Sequence, residues 1–127
     1  MITGEIHILP TDNTPEFLFR PDGIIKIIGR GLIGNKSEVT EQIGIWIDEY
    51  VTKPAETTYV IIAFEYLNSF CTTILVSILR KFSQVLLHSG KLVIQWYYEE
   101  DDEDMLEAGE DYESIIRVPF KMIEIVE

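Results

Sequence analysis

Runs of hydrophobic residues divide the chain into strands and helices. The longest run, Thr57 to Leu67 (TTYVIIAFEYL), is almost uninterrupted, which predicts a strand buried on both faces of a parallel sheet. After a polar break at Asn68-Ser69, hydrophobic residues recur at helical spacing, and this predicts a helix of about four turns. The residues of this stripe are Cys71, Ile74, Leu75, Ile78, Phe82, Val85 and Leu86. His88-Ser89-Gly90 ends the helix, with Gly90 expected in the left-handed conformation.

The N-terminal part of the chain predicts a short strand, a hairpin and a helix. Residues 5–9 form the strand, and residues 16–20 and 24–31 form the hairpin around the turn formers Pro21-Asp22-Gly23. Asn35 and Glu38 have the spacing of a capping box at the start of the helix, which Lys53-Pro54 ends. The hydrophobic stripe of this helix consists of Val39, Ile43, Trp46, Ile47, Tyr50 and Val51.

The C-terminal part continues the alternation of strands and helices. Lys91 to Tyr98 and Phe120 to Val126 are predicted strands. Between them, Glu99 to Glu113 contains ten of the 22 acidic residues and no Lys or Arg, which predicts an exposed helix with loops at its ends. Only Met105, Leu106 and Tyr112 give that helix a hydrophobic edge.

This order of elements predicts a single α/β domain over residues 1–127. Strands connected through helices run parallel with right-handed crossovers. We therefore expect a mixed sheet with an antiparallel hairpin at its N-terminal side, mostly parallel strands elsewhere, and helices packed against it.

Composition narrows the function classes. The net charge of −12 disfavours general binding to nucleic acid or to an anionic membrane. The single cysteine, Cys71, excludes an internal disulfide and suits a reducing compartment. The N-terminus lacks the features of a signal peptide, and charged or polar residues interrupt the hydrophobic runs well short of a membrane span. A cytoplasmic protein without membrane insertion is the expectation.

No catalytic, cofactor-binding or metal-binding motif is evident in the sequence. Residues 29–34 spell GxGxxG, but they begin inside a strand that follows a hairpin, so the nucleotide-binding context is missing. His7, His88 and Cys71 are far apart in the sequence, and the acidic run lacks the spacing of a calcium loop. We expect no cofactor, no metal and no enzymatic activity.

The junction Tyr66-Leu67-Asn68-Ser69-Phe70 is the strongest candidate site. It places a small hydroxyl at the start of a long helix, where backbone N–H groups favour an anion. Ser69 is therefore either a helix N-cap or a phosphorylated switch, and the residues alone favour the cap. Tyr66 and Phe70 are either exposed interface residues or the rim of the core. Trp46 and Trp96 are predicted core residues.

The same junction resembles a known family. A strand followed by a polar residue and Ser or Thr at a helix start resembles the STAS domain of anti-sigma-factor antagonists, and Leu67-Asn68-Ser69 is more similar to the SiaC-type regulatory phosphoproteins. The helix around residues 45–49, the strand with Trp96-Tyr97, and Pro119-Phe120 support the resemblance. Phe70 and Cys71 depart from the family pattern, which has small polar residues there. In addition, Asn68 replaces the aspartate of the anti-sigma antagonists.

The resemblance implies a STAS-like fold and a switch of protein–protein binding. It implies phosphorylation at Ser69, with Thr72 and Thr73 as alternative acceptors, and partner binding through Tyr66, Asn68, Ser69 and Phe70. The implied partners are a cognate protein kinase, a PP2C-type phosphatase and a diguanylate cyclase, which the unphosphorylated form would activate in cyclic-di-GMP signalling. The alternatives are an anti-sigma-factor antagonist and, less favoured, a small-molecule or metal-dependent enzyme.

Overall fold

A computed structural model describes residues 4–12, 14–31, 38–67 and 69–126. The strands are β1 (Ile6–Ile8), β2 (Glu16–Phe19), β3 (Ile24–Gly31), β4 (Thr57–Leu67), β5 (Lys91–Glu99) and β6 (Phe120–Ile125). The helices are α1 (Glu38–Tyr50), α2 (Ser69–Phe82) and α3 (Glu103–Ile116), and a 3-10 helix, Ser83–His88, follows α2 directly. Asn35 of the predicted capping box lies outside the described residues.

The six strands form one mixed sheet whose order in space equals their order in the chain, β1-β2-β3-β4-β5-β6. β1, β2 and β3 pair antiparallel, whereas β3 to β6 pair parallel. The predicted hairpin and the predicted mixed sheet are both confirmed. Gly23 makes the hairpin turn possible because its φ is 101°, in the region that favours glycine.

One face of the sheet carries the core. Phe19, Ile25, Val60, Ile94 and Phe120 stand side by side in one cross-strand row, and all five are buried. The helices cover this face, since parallel strands added in one direction through right-handed crossovers place every helix on the same side. Aromatic contacts between the sheet and each helix confirm this arrangement. Phe19 packs against Trp46 of α1 and Phe82 of α2. Trp96 packs against Tyr112 of α3.

The opposite face, which we call the open face, is not covered by any of the described helices. Its hydrophobic side chains are partly buried or exposed and do not belong to the core cluster. They are Leu18, Ile24, Ile28, Tyr59, Ile61, Ala63, Val93, Tyr97, Ile123 and Ile125. The prediction that β4 is buried on both faces is therefore wrong. Although the sequence of β4 is typical of a strand covered on both faces, its residue Tyr59 is 40% exposed.

The two tryptophans lie in the core, as predicted. Trp46 stacks on Tyr50 one turn later in α1, with ring centroids 5.0 Å apart. Trp96 is fully buried, and its Nε1 donates a hydrogen bond to the carbonyl oxygen of Met105 at 2.9 Å. The hydrogen bond of Trp96 fixes α3 against the sheet, and the packing of Trp46 against Phe19 does so for α1.

The end of the second helix differs from the prediction. The α-helix stops at Phe82, and the tighter 3-10 turns that follow rotate later side chains away from the predicted stripe. Leu86, predicted in the stripe, is consequently 49% exposed. The left-handed residue is Ser89, with φ 63°, and not Gly90, because the 3-10 helix already ends at His88.

The acidic segment is more closely packed than predicted. Its helix begins at Glu103 and continues to Ile116, and Met105, Gly109 and Tyr112 are buried against the sheet. The acidic side chains occupy the outer surface. A narrow hydrophobic edge is enough to pack α3 against the sheet, because Gly109 lets the helix backbone approach Trp96 closely.

Candidate functional site at the end of β4

The candidate site is built where β4 ends and α2 begins. β4 ends at Leu67 and the helical backbone starts at Ser69, so the predicted helix start is confirmed. Asn68 lies outside the described residues, as do the side chains of Leu67, Ser69, Phe70 and Cys71. The roles of Asn68, Ser69 and Phe70 in phosphorylation and partner binding therefore stay predictions.

A β-bulge immediately precedes this junction. Gly29 of β3 pairs with Phe64 and Arg30 pairs with Tyr66, so Glu65 is an extra residue in β4 with no partner on β3. Bulges bend a strand and redirect its side chains, and they are frequent beside functional sites. Tyr66, which follows the bulge, is 51% exposed at the end of the strand. The sequence left open whether Tyr66 is exposed or at the rim of the core, and the structure shows it exposed. Its role in binding stays a prediction.

The electrostatic character of α2 differs from that of the rest of the protein. None of its 14 residues is acidic, and its last turn contains Arg80 and Lys81. The helix N-terminus at Ser69 therefore has a partial positive charge with no acidic side chain in the first turn to offset it. Arg30 adds a cationic side chain at the same end of the sheet, directly opposite Tyr66 in the strand pairing.

An open groove of about 530 Å³ runs along the outer face of α2. It is lined by Thr72, Thr73, Val76, Ser77, Arg80, Lys81 and Gln84. Thr72 is partly buried and Thr73 is exposed. Because positions three and four residues apart share a helix face, the groove begins one turn after Ser69 on the side of the helix where that residue lies.

An ion pair between α1 and α2 separates this groove from a second one. Lys81 Nζ lies 2.6 Å from Asp48 Oδ1 and connects the two helices at the surface. On the other side of this pair, Ile45, Asp48, Glu49 and Thr52 line a second open hollow of about 390 Å³. Ile45 is 57% exposed. The outer surface formed by α1 and α2 therefore combines hydrophobic and charged side chains in a way that suits contact with a protein.

Among the residues that the structure describes, the titratable groups outside this region do not converge on a second site. His7 Nε2 lies 2.6 Å from Glu16 Oε2 across the β1–β2 pair, and His88 is exposed at the end of the 3-10 helix. Over residues 4–12, 14–31, 38–67 and 69–126, no three His, Cys, Asp or Glu residues are grouped so that they could hold a metal ion. None of the helices in these ranges combines the length and hydrophobicity needed to cross a lipid bilayer.

The sequence did not reveal the bulge at Glu65, the position of Arg30 or the groove along α2. Gly29 carried the only available signal, since an isolated glycine within a strand indicates a bulge or a close backbone approach. Its φ of 127° agrees with this interpretation. The position of Arg30 depends on the register between β3 and β4, which the pattern of a single strand does not specify.

Comparison with known proteins identifies the family to which this chain belongs. The family model of the SiaC family regulatory phosphoproteins matches residues 8–125, which is nearly the whole chain. The chain belongs to the SiaC family. The resemblance carried by Leu67-Asn68-Ser69 in the sequence is thereby confirmed at the level of the family. No protein among the curated sequences matches this chain.

Solved structures agree with the SiaC fold. A chain in the crystal structure of the diguanylate cyclase SiaD in complex with its activator SiaC, from Pseudomonas aeruginosa, is 20% identical, with a TM-score of 0.82 over 94% of this chain and 99% of that one. Apo-SiaC from the same organism is 19% identical, with a TM-score of 0.81 over 94% of this chain and 98% of that one. At this level of identity, the likeness establishes the shared fold.

Proposed function

We propose that this SiaC-family protein is a cytoplasmic regulator of a diguanylate cyclase, controlled by phosphorylation of Ser69. In this proposal the unphosphorylated form binds and activates the cyclase, and phosphorylation releases it. The observation that carries the proposal is the position of Ser69, which opens α2 directly after β4 in a chain of this family. SiaC of Pseudomonas aeruginosa, which has the same fold, is described as the activator of the diguanylate cyclase SiaD.

The fold can accept a phosphate at Ser69. A phosphoserine has a charge of about −1.5 to −2 at pH 7 and three acceptor oxygens. The first-turn N–H groups of a helix favour such an anion, and α2 contains no acidic residue that would repel it. Phosphorylation is therefore expected to leave the fold intact.

The same charge would oppose a partner that covers this end of the protein. A docked partner must remove water from the phosphate, and this costs several kcal/mol unless a cation of the partner meets it. Tyr66 and the groove along α2 supply exposed surface next to Ser69 for such a partner. Phosphorylation thus weakens binding by desolvation and repulsion, without a large change in structure.

The switch requires two opposing enzymes. We propose a cognate protein kinase that phosphorylates Ser69 and a PP2C-type phosphatase that restores the hydroxyl. In this scheme the protein itself acts by contact and has no catalytic role. Purification from the native host identifies the partner: recovery of an anti-sigma kinase instead of a cyclase would support the alternative circuit of an anti-sigma-factor antagonist.

The test compares substitutions at Ser69 with matched substitutions at Ser114, an exposed serine of α3 that does not line the groove along α2. Ser69→Ala should bind and activate the diguanylate cyclase of the native host, and Ser69→Asp should lose at least about tenfold in affinity, equivalent to about 1.4 kcal/mol. Ser114→Ala and Ser114→Asp should both behave like the unmodified protein. Equal cyclase affinities for Ser69→Ala and Ser69→Asp would refute the switch.

Mass spectrometry of the protein from its native host tests the acceptor itself. Fragment ions should place the phosphate on Ser69. Phosphate only on Thr72 or Thr73 would move the acceptor by about one helical turn along α2. Absence of phosphate under all growth conditions would support the view that Ser69 only caps the helix.

A further inference from the structure

The centre of the open face is hydrophobic. Its central strands present Tyr59, Ile61 and Ala63 from β4, and Val93 and Tyr97 from β5. In a sheet with one face in contact with water, each strand normally alternates hydrophobic residues, which point toward the core, with polar residues, which point toward the solvent. Here hydrophobic residues also occupy the solvent side of both central strands, although Gln95 lies between those of β5, and Lys91 and Glu99 lie at its ends. Contiguous hydrophobic patches of this kind mark interaction sites.

Two lysines border this hydrophobic surface. Lys26 on β3 and Lys121 on β6 belong to one cross-strand row, with Ile61 and Gln95 between them. Neither lysine takes part in an ion pair within the described part of the chain. Unpaired lysines on both sides of a hydrophobic strip, in a protein with a net charge of −12, indicate a partner that carries acidic residues at matching positions.

The spacing of the lysines fits one helix. β3 and β6 are three strand spacings apart, which places the backbones of Lys26 and Lys121 about 14 Å from each other. An α-helix with its side chains is about 10–12 Å across. A helix lying on β4 and β5 therefore fits between the two lysines, with one of them along each of its sides. It would complete a three-layer arrangement in which both sheet faces are covered.

A second copy of the same chain fits this face poorly. A two-fold axis that superposes the row on itself places Lys26 opposite Lys26 or Lys121 of the other copy. Each pairing brings like charges together, and each copy adds a net charge of −12. Charge complementarity therefore favours a different protein as the occupant.

We propose that the open face binds an amphipathic α-helix of a partner protein, with its hydrophobic stripe on β4 and β5 and with Asp or Glu residues along both edges of the stripe. Lys26 and Lys121 pair with these acidic residues and fix the position of the helix. The proposed surface lies on the side of the sheet opposite α2, so binding there does not depend on the state of Ser69. The protein then has two separate contact surfaces.

The test uses two synthetic helical peptides of about five turns (~18 residues). Both have the same Leu and Ile stripe, which is flanked by Glu in one peptide and by Lys in the other. Fluorescence anisotropy with the full-length protein should show about tenfold tighter binding of the Glu-flanked peptide, because two exposed ion pairs replace two repulsions. The double variant Lys26→Glu, Lys121→Glu should reverse this preference.

Matched controls locate the binding site. Lys53→Glu with Arg117→Glu makes the same change in net charge at exposed positions outside the open face, and it should leave the preference unchanged. Amide chemical shifts should change at Ile61 and Val93 on the addition of peptide and remain constant at Val76 on α2. Ser69→Asp should bind the peptide like the unmodified protein, so this test and the test of the switch can fail independently.

Three results would overturn the proposal. The first is equal affinity for the two peptides, and the second is a set of shift changes confined to α1 and α2. The third is a concentration-dependent dimer in sedimentation that Ile61→Asp abolishes and Ile45→Asp, on exposed α1, does not. That result would assign the open face to a second copy of the chain.

Discussion

The backbone of Gly109 lies directly against the indole ring of Trp96. A Cβ atom built at position 109 would be 2.6 Å from Cδ1 and 2.7 Å from Nε1 of this tryptophan. One turn earlier, the carbonyl oxygen of Met105 accepts the hydrogen bond from the same indole. A single buried side chain of β5 therefore determines both how close α3 lies to the sheet and its position along its own axis.

Replacing this glycine is expected to destabilise the protein. Gly109→Ala improves the intrinsic helix propensity, but the new methyl group must displace a fully buried ring, so we expect a net loss of about 1–3 kcal/mol in the free energy of unfolding. Gly44→Ala in α1 is the matched control, because a Cβ there would have no neighbour within 4 Å. It should stabilise the protein by about 0.5–1 kcal/mol. Urea denaturation measures both, and a loss at Gly44 as large as at Gly109 would contradict the steric explanation.

A buried hydroxyl pair supports the turn before β4. The hydroxyl groups of Tyr50 and Thr58 are 2.7 Å apart, and the Tyr50 hydroxyl also accepts a hydrogen bond from the backbone N–H of Ala55 at 3.2 Å. Thr58 is the only buried polar residue among those described. Tyr50→Phe removes the partner of both groups, so it should cost about 1–3 kcal/mol in unfolding free energy.

A double-mutant cycle isolates this hydrogen bond. Thr58→Val combined with Tyr50→Phe should cost less than the sum of the two single changes, because the double variant leaves no unpaired hydroxyl at the contact. Tyr59→Phe, at a tyrosine that is 40% exposed, should change the stability by less than about 0.5 kcal/mol. Strictly additive losses in the cycle would show that the two hydroxyl groups do not stabilise each other.

The acidic helix depends on its N-cap. Asp102 accepts a hydrogen bond from the backbone N–H of Met105 through Oδ1 at 3.0 Å. Asp102→Ala should therefore lower the unfolding free energy by about 1 kcal/mol. Asp101→Ala removes the same charge one residue earlier and should have a smaller effect, so thermal melts of the two variants separate the cap from general charge reduction. Identical melting temperatures would refute the specific role of Asp102.

The elements that the sequence predicted well are those with local signals. Pro21, Asp22 and Gly23 specify the reversal through their own backbone preferences, and the stripe containing Ile43, Trp46 and Ile47 requires a helix whatever it packs against. The start of α2 at Ser69 followed from the polar break after a long strand. These signals require no knowledge of the neighbouring elements.

The errors arose where the result depends on tertiary neighbours. β4 was predicted to be buried on both faces because both of its faces carry hydrophobic residues. The order of the strands in the sheet, however, places all the described helices on one side and leaves the other side of β4 uncovered. α3 reads as exposed because Gly109 contributes nothing to a hydrophobic stripe, although it permits the closest approach to the sheet. At Ser89, the change from α to 3-10 geometry moved the left-handed residue by one position.

The strand order of the sheet also affects how the protein can be made. Because each strand pairs with the strand before it in the chain, every strand that leaves the ribosome has the edge it needs already in place. The three parallel pairings are non-local, since a helix separates their strands in the chain, so each can form only after that helix has been made. Synthesis can therefore add the sheet one strand at a time, and the growing edge is exposed only until the next strand emerges.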